Sequence, residues 1–182
     1  DIGGGTTGIT VIALAGIVCD QSIRIAGDEF TADIMEAMRR YHSLQIGERT
    51  AEQIKIHVGS ALKVLDNPPD DIPVNGRDLV TGIPKTIEVS SDEIRQALKD
   101  PVNAIVEAVK RCLEQTPPEL AADILERGII VAGGGSLLKG IDQIIRERTN
   151  VPVNVAEDPL LSVVRGTGMV LENLKKYEAV LL

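Results

Sequence analysis

Asp1-Ile2-Gly3-Gly4-Gly5-Thr6-Thr7-Gly8, running straight into Ile9-Thr10-Val11-Ile12-Ala13-Leu14, is the stretch on which the fold turns. Glycine-rich loops suit phosphates because the missing side chain lets backbone N–H groups converge on oxygens. Residues 3–8 satisfy G-x-G-x-x-G, and Asp20 or Asp28 stands near the distance expected of a ribose-binding acid. A dinucleotide loop, however, must open a helix whose N-terminus takes the pyrophosphate. Residues 9–14 read as a strand instead. The P-loop pattern needs Lys before its Thr, and Ile9 precedes Thr10. A third reading is a strand–turn–strand clamp on phosphate, with Asp1 holding a metal-bound water and Thr6 and Thr7 adding hydroxyls. A plain hairpin remains the simpler alternative, although three consecutive glycines exceed what a turn needs.

Composition narrows the setting. With 182 residues, 43% of them hydrophobic, the chain can bury a core, which excludes wholesale disorder. Phe30, Tyr41 and Tyr177 are the only aromatics, so the core is aliphatic and suits helices packed on a buried sheet. A net charge of −8 without any Lys/Arg run argues against a nucleic-acid surface. Cys19 and Cys112 sit among apolar residues and read as buried thiols in a reducing compartment, not as a disulfide framework. No apolar run approaches the roughly 20 residues of a membrane span. The opening at Asp1, with neither Met nor a signal-peptide pattern, reads as the middle of something longer.

Outward from the loop, Ala15-Gly16 should break the first strand and Ile17–Ile25 should return as its hairpin partner. Asp28 can cap a helix with Phe30, Ile34, Met38 and Tyr41 on its apolar stripe. Thr50 and Gln53 form a capping box ahead of a helix burying Ile54, Val58, Ala61 and Leu62. Residues 72–89 read as two strands joined near Thr81-Gly82-Ile83-Pro84, with Asn75-Gly76 as the rival turn. Ser90 caps a short helix, Asp100-Pro101 starts a long one, and Thr116-Pro117 opens another that Gly128 closes. A buried-type strand at 129–132 leads into Gly133-Gly134-Gly135-Ser136 and a helix carrying Leu137, Leu138, Ile141, Ile144 and Ile145. A strand at 151–155 and a helix capped by Asp158 complete the chain.

Two further stations carry chemistry. Helical periodicity puts Glu52, Lys55, Ile56 and Gly59 on one face, beside the apolar one. Glu52 and Lys55 alone would make an ordinary surface ion pair. Gly59 in mid-helix costs about 1 kcal/mol against Ala, so either a flat ligand or a tightly packed neighbour needs the space. Gly133 to Ser136 lies at a strand end, where open α/β sheets bind ligands, or else forms a tight strand-to-helix turn.

These stations in this order resemble the actin superfamily, and within it the MreB group of bacterial actin homologues. The resemblance is carried by residues 1–7, by Ser22-Ile23-Arg24-Ile25-Ala26-Gly27-Asp28-Glu29, by Ile46-Gly47-Glu48-Arg49-Thr50-Ala51-Glu52, by Gln115-Thr116-Pro117-Pro118-Glu119-Leu120, and by 124–128 leading into 133–138. It runs essentially end to end.

The resemblance implies an α/β, actin-like (ribonuclease H-like) ATPase lobe with a mixed sheet and flanking helices. Residues 1–28 and 119–182 would form the large nucleotide-binding subdomain, and residues 29–118 a smaller inserted α+β subdomain. Gly3, Gly4, Gly5, Thr6 and Thr7 would contact the phosphates of ATP or ADP, and Asp1 would orient Mg²⁺-bound water. Glu52, Lys55 and Ile56 would meet ribose and adenine, with Gly59 making room for the base. Gly133, Gly134, Gly135 and Ser136 would form the adenosine motif. The family's first phosphate loop is missing, so the chain looks like the C-terminal part of such a protein and should not hydrolyse ATP alone. The intact protein would polymerise with itself into filaments on the cytoplasmic face of the inner membrane, alongside the cell-wall elongation machinery, and maintain rod shape. A sugar or acyl kinase, or a chaperone-type ATPase, of the same fold is the alternative.

Overall fold

The computed structural model describes residues 1–13 and 16–177. The β-rich run after the glycine loop forms β1 (Thr7–Ala13), antiparallel to β2 (Gly16–Ile23). The expected strand end at Leu14 and the break at Ala15 lie outside the described residues. Far along the chain β6 (Ile129–Val131) pairs parallel with β7 (Val153–Val155). Ile2 stitches these two pairs together. It bridges Thr7 on one flank, and on the other its N–H donates to the Ala132 carbonyl at 2.8 Å.

Between β2 and β6 come α1 (Gly27–His42), β3 (Leu44–Gln45), α2 (Glu48–Val58), β4 (Ile72–Asp78), β5 (Pro84–Val89), α3 (Ser91–Ala97), α4 (Lys99–Glu114) and α5 (Pro118–Arg127). A 3-10 turn (Gly134–Leu137) and α6 (Ile141–Thr149) separate β6 from β7, and α7 (Ser162–Glu172) follows. Strands β3, β4 and β5 make a second antiparallel sheet in that order. Its hairpin turns between Asp78 and Pro84, so Asn75 and Gly76 stay inside β4, opposite Thr86 and Lys85.

One continuous aliphatic core runs through the molecule, as the composition demands. Phe30, Ile34 and Met38 enter from α1, Ala51, Ile54 and Val58 from α2, Val102, Ile105, Val106 and Val109 from α4, and Ile141 and Ile145 from α6. Tyr41 does not join them. It is half exposed near the end of α1, under the Arg40 guanidinium, where Ser43 turns the chain left-handed. Helices α1 and α2 pack on the second sheet, and α3 packs against both of them. Helix α4 packs on β1, β2 and α6, with its apolar stripe covering the hairpin.

Three helix starts differ from expectation. Helix α1 begins at Gly27, α2 at Glu48 and α7 at Ser162, so none is capped by Asp28, Thr50 or Asp158. Asp158 uses its carboxylate on Arg165, 2.5 Å away. Leu137 and Leu138 precede α6 and lie in and just after the 3-10 turn. Ser90 does cap α3, accepting from the Glu93 N–H, and Gly128 closes α5 at φ 79°. A cavity of about 1030 Å³ opens between β1, α4, α5 and β6, lined by Val11, Val109, Ile124 and Ile130 among others. Among the described residues no helix is long and apolar enough to cross a membrane.

Candidate functional site

The glycine loop is held from below by its carbonyls. The Gly3 N–H closes the turn on the Thr6 carbonyl at 3.0 Å. The Gly3 and Gly4 carbonyls accept from the Gly27 and Asp28 N–H groups at the start of α1, at 3.1 and 2.8 Å. By contrast, among the described residues the N–H groups of Gly4, Gly5 and Thr6 donate to no carbonyl, and all three residues are exposed. Consecutive free N–H donors on a loop whose carbonyls are tied down make an anion-binding concavity. The Asp28 carboxylate lies over this loop, 3.6 and 3.5 Å from where side chains on Gly4 and Gly5 would begin. The Thr7 hydroxyl is not available to a ligand: it is buried and donates to the Ile25 carbonyl at 2.6 Å, locking β1 to the approach of α1.

The third station folds onto the first. Gly133 takes φ 83°, and a Cβ there would overlap the Asp1 carboxylate and the Ile2 carbonyl. A Cβ on Gly135 would overlap the Ile2 side chain, and the Gly135 N–H donates to the Ile2 carbonyl at 2.8 Å. These glycines exist to let Asp1 and Ile2 come close. The buried Ser136 hydroxyl donates inward to the Gly133 carbonyl at 2.7 Å.

The second station is more than a surface pair. Lys55 Nζ is 2.6 Å from Glu52 Oε2 and donates also to the Gly27 carbonyl (3.0 Å) and Thr31 Oγ1 (3.2 Å). Thr31 Oγ1 lies 3.0 Å from Glu52 Oε2. Ile56, one turn beyond Glu52, is 62% exposed, an apolar surface beside a carboxylate. Gly59 is not in mid-helix. Helix α2 ends at Val58, and Gly59 caps it in extended backbone. A Cβ there would run into the Lys55 carbonyl and lie 3.1 Å from Leu138 Cδ1, so the space is filled by protein. The chain then lies along the segment after the third station, with the Ala61 N–H donating to the Lys139 carbonyl at 2.8 Å. The Lys139 ammonium reaches the His57 carbonyl, and burial lowers its pKa.

Three structural contributors were not singled out from sequence: Gly27, Thr31 and Lys139. A Cβ on Gly27 would sit 3.3 Å from the Gly3 carbonyl and 3.5 Å from Lys55 Nζ, so its glycine is needed where loop and helix meet. Thr31 in a helix interior was the available signal, since such hydroxyls bond back to the preceding turn, here to Gly27. Lys139 carries no local pattern.

An exposed glycine loop, a carboxylate-and-lysine station and a glycine turn at a strand end, drawn into one arc between two sheets, define an actin-like protein. Solved structures agree. MreB5 of Spiroplasma citri bound to ADP superposes with a TM-score of 0.91 at 40% identity, covering 97% of this chain and 53% of that one. The same protein bound to AMPPNP gives 0.90 at 39%, covering 100% and 54%. The MamK double helical filament gives 0.78 at 25%, covering 95% and 53%. The chain matches the family described as MreB/Mbl protein over residues 1–179, and it belongs to that family. The cell shape-determining protein Mbl of Bacillus subtilis is 50% identical over 176 residues, which cover 97% of this chain and 52% of that protein. The chain thus spans about half the length of the relatives it matches.

Proposed function

We infer that this chain is one lobe of an ATP-binding, actin-like scaffold that assembles with its own copies and determines cell shape at the inner face of the membrane. The observation that carries the reading is the run of free N–H groups on Gly4, Gly5 and Thr6, set beside Glu52 and the exposed Ile56. Phosphate oxygens match the N–H run, a ribose offers hydroxyl donors to the carboxylate, and a purine face suits the isoleucine. Among the described residues no cluster of metal-ligating side chains exists. That fits Mg²⁺ held chiefly by phosphates and water, with Asp1 reaching it through water. The Asp28 carboxylate over the loop favours the same: an anionic phosphate there needs a cation with it. Hydrolysis needs groups that position the attacking water, and this lobe supplies at most Asp1.

Relatives support the assembly. B. subtilis Mbl is named for cell shape, MreB5 was solved with ADP and AMPPNP, and MamK as a filament. The test is assembly of the full-length protein carrying this chain, followed by sedimentation and electron microscopy with and without Mg²⁺-ATP. Filaments that depend on the nucleotide are expected. A soluble monomer that phosphorylates a sugar or an acyl acid would overturn the scaffold reading in favour of a kinase.

A further inference from the structure

Cys19 and Cys112 are the chain's only two cysteines, and the nucleotide reading gives them no part. They stand 93 residues apart in sequence, on β2 and α4. Folding buries both and brings their Sγ atoms to 2.8 Å, the Cys112 thiol donating to the Cys19 sulfur. Packing alone asks only for two small apolar side chains here, not for sulfur against sulfur. A covalent S–S bond is about 2.05 Å long, so less than about 1 Å of movement closes the gap. Neighbours hold the pair in place. The Cys19 thiol donates to Gln115 Oε1 at 3.6 Å, which also accepts from Gln21 Nε2 at 3.0 Å. The Thr116 hydroxyl donates to the Cys112 carbonyl at 2.8 Å and fixes the last turn of α4.

We propose that Cys19 and Cys112 are a reversible redox pair, which peroxide closes into a disulfide that staples the β1–β2 hairpin to α4. Cys19 keeps 7% of its surface against 1% for Cys112, so the oxidant meets Cys19 first. Burial and the neighbouring Cys19 push the Cys112 thiol up to about 12, so it stays protonated until its turn. The Cys19 sulfur takes an oxygen from hydrogen peroxide. An S–O bond forms, the O–O bond breaks, and hydroxide departs as water with the Cys19 proton. The Cys112 sulfur then attacks the sulfenic sulfur of Cys19. The S–S bond forms, the S–O bond breaks, and hydroxide departs as water with the Cys112 proton. Two thiols have given two electrons to one peroxide, which ends as two waters. A dithiol reductant restores both thiols by exchange. The link encloses α1, α2, α3 and the whole second sheet. A cross-link of that span removes freedom chiefly from opened states, so β2 and α4 part less often.

The experiment treats the folded full-length protein with hydrogen peroxide, blocks the remaining thiols, and digests with trypsin without reductant. The expected product is the peptide ending at Arg24 joined to 112–127, separated again by dithiothreitol. In Cys112→Ser, dimedone should trap Cys19 as the sulfenic acid. In Cys19→Ser, Cys112 should stay a thiol. Amide hydrogen exchange in β2 and α4 should slow about tenfold or more in the oxidised wild type, and recover on reduction. The wild-type digest decides even if neither variant folds. Both thiols surviving the peroxide overturns the proposal, as does a sulfinic acid on Cys19 beside an intact Cys112 thiol. A link from either residue to any other cysteine overturns it too. A Cys19–Cys112 link that leaves exchange unchanged overturns the staple.

Discussion

Glu52 and Gly59 sit seven residues apart, yet the structure gives them opposite characters. Half of Glu52 faces solvent, and its bonds to Lys55 and Thr31 are of the partly exposed kind that contribute at most about 1 kcal/mol to folding. Glu52→Ala in the full-length protein should therefore weaken ATP binding about tenfold while barely moving the melting temperature without nucleotide. Equal losses in both measurements would make Glu52 a structural residue. Gly59 points the other way. Helix propensity alone predicts that a larger residue stabilises. The end of α2, however, places the Lys55 carbonyl and Leu138 where a side chain would go. Gly59→Leu should lower the stability of the chain by about 1–3 kcal/mol in urea unfolding, the usual result of overpacking. Unchanged stability would mean that the space is open, and that a ligand is the better reason for the glycine.

At the scale of elements, β2 and α4 meet through sulfur. Cys19 and Cys112 are both buried, their Sγ atoms 2.8 Å apart, which agrees with the expectation of buried free thiols. Burial and the neighbouring Cys19 push the Cys112 thiol from 9.0 up to about 12. The unfolded thiol ionises first on raising the pH, so unfolding releases protons there and stability falls as pH rises. The contribution is complete below about pH 9 and lost between there and about pH 12. Urea midpoints should decline over that window more steeply in the wild-type chain than in Cys112→Ala. Parallel declines would show that α4 does not desolvate this thiol.

The strands and apolar stripes were legible because they depend on local periodicity: 30, 34 and 38 in α1, and 54 and 58 in α2, are buried where spacing placed them. Helix starts were not. Asp28 is a good capping residue by type, but the N–H groups that open α1 are taken by the Gly3 and Gly4 carbonyls, from a loop some 24 residues upstream in sequence. Thr50 fails likewise because Gly47 already caps α2. The glycine stations were visible as compositional excess, but spacing could not distinguish a glycine making room for a ligand from one making room for Ile2 or Leu138. Thr7 and Ser136 show the same limit, since a hydroxyl beside a glycine loop can face either way.

Across the whole molecule, residues 27–29, at the boundary expected between the large subdomain and the inserted one, are the start of α1, bonded to the glycine loop and to Lys55. The open connection lies further on, between α2 and β4, where residues 63 and 64 and several that follow are exposed and irregular. Limited trypsin digestion should therefore cut first after Lys63, leaving 1–63 and 64–182. A first cut at Arg24, ahead of α1, or within α4 would contradict this packing.

Nucleotide should sit on the arc of glycine stations and not in the cavity between β1 and β6. Photolabelling the full-length protein with 8-azido-ATP, with peptides mapped by mass spectrometry, tests it most directly. The account predicts adducts on peptides containing residues 53–63 or 133–139, abolished by excess Mg²⁺-ATP. Competable adducts on β1 or α5, which line the cavity, would contradict it.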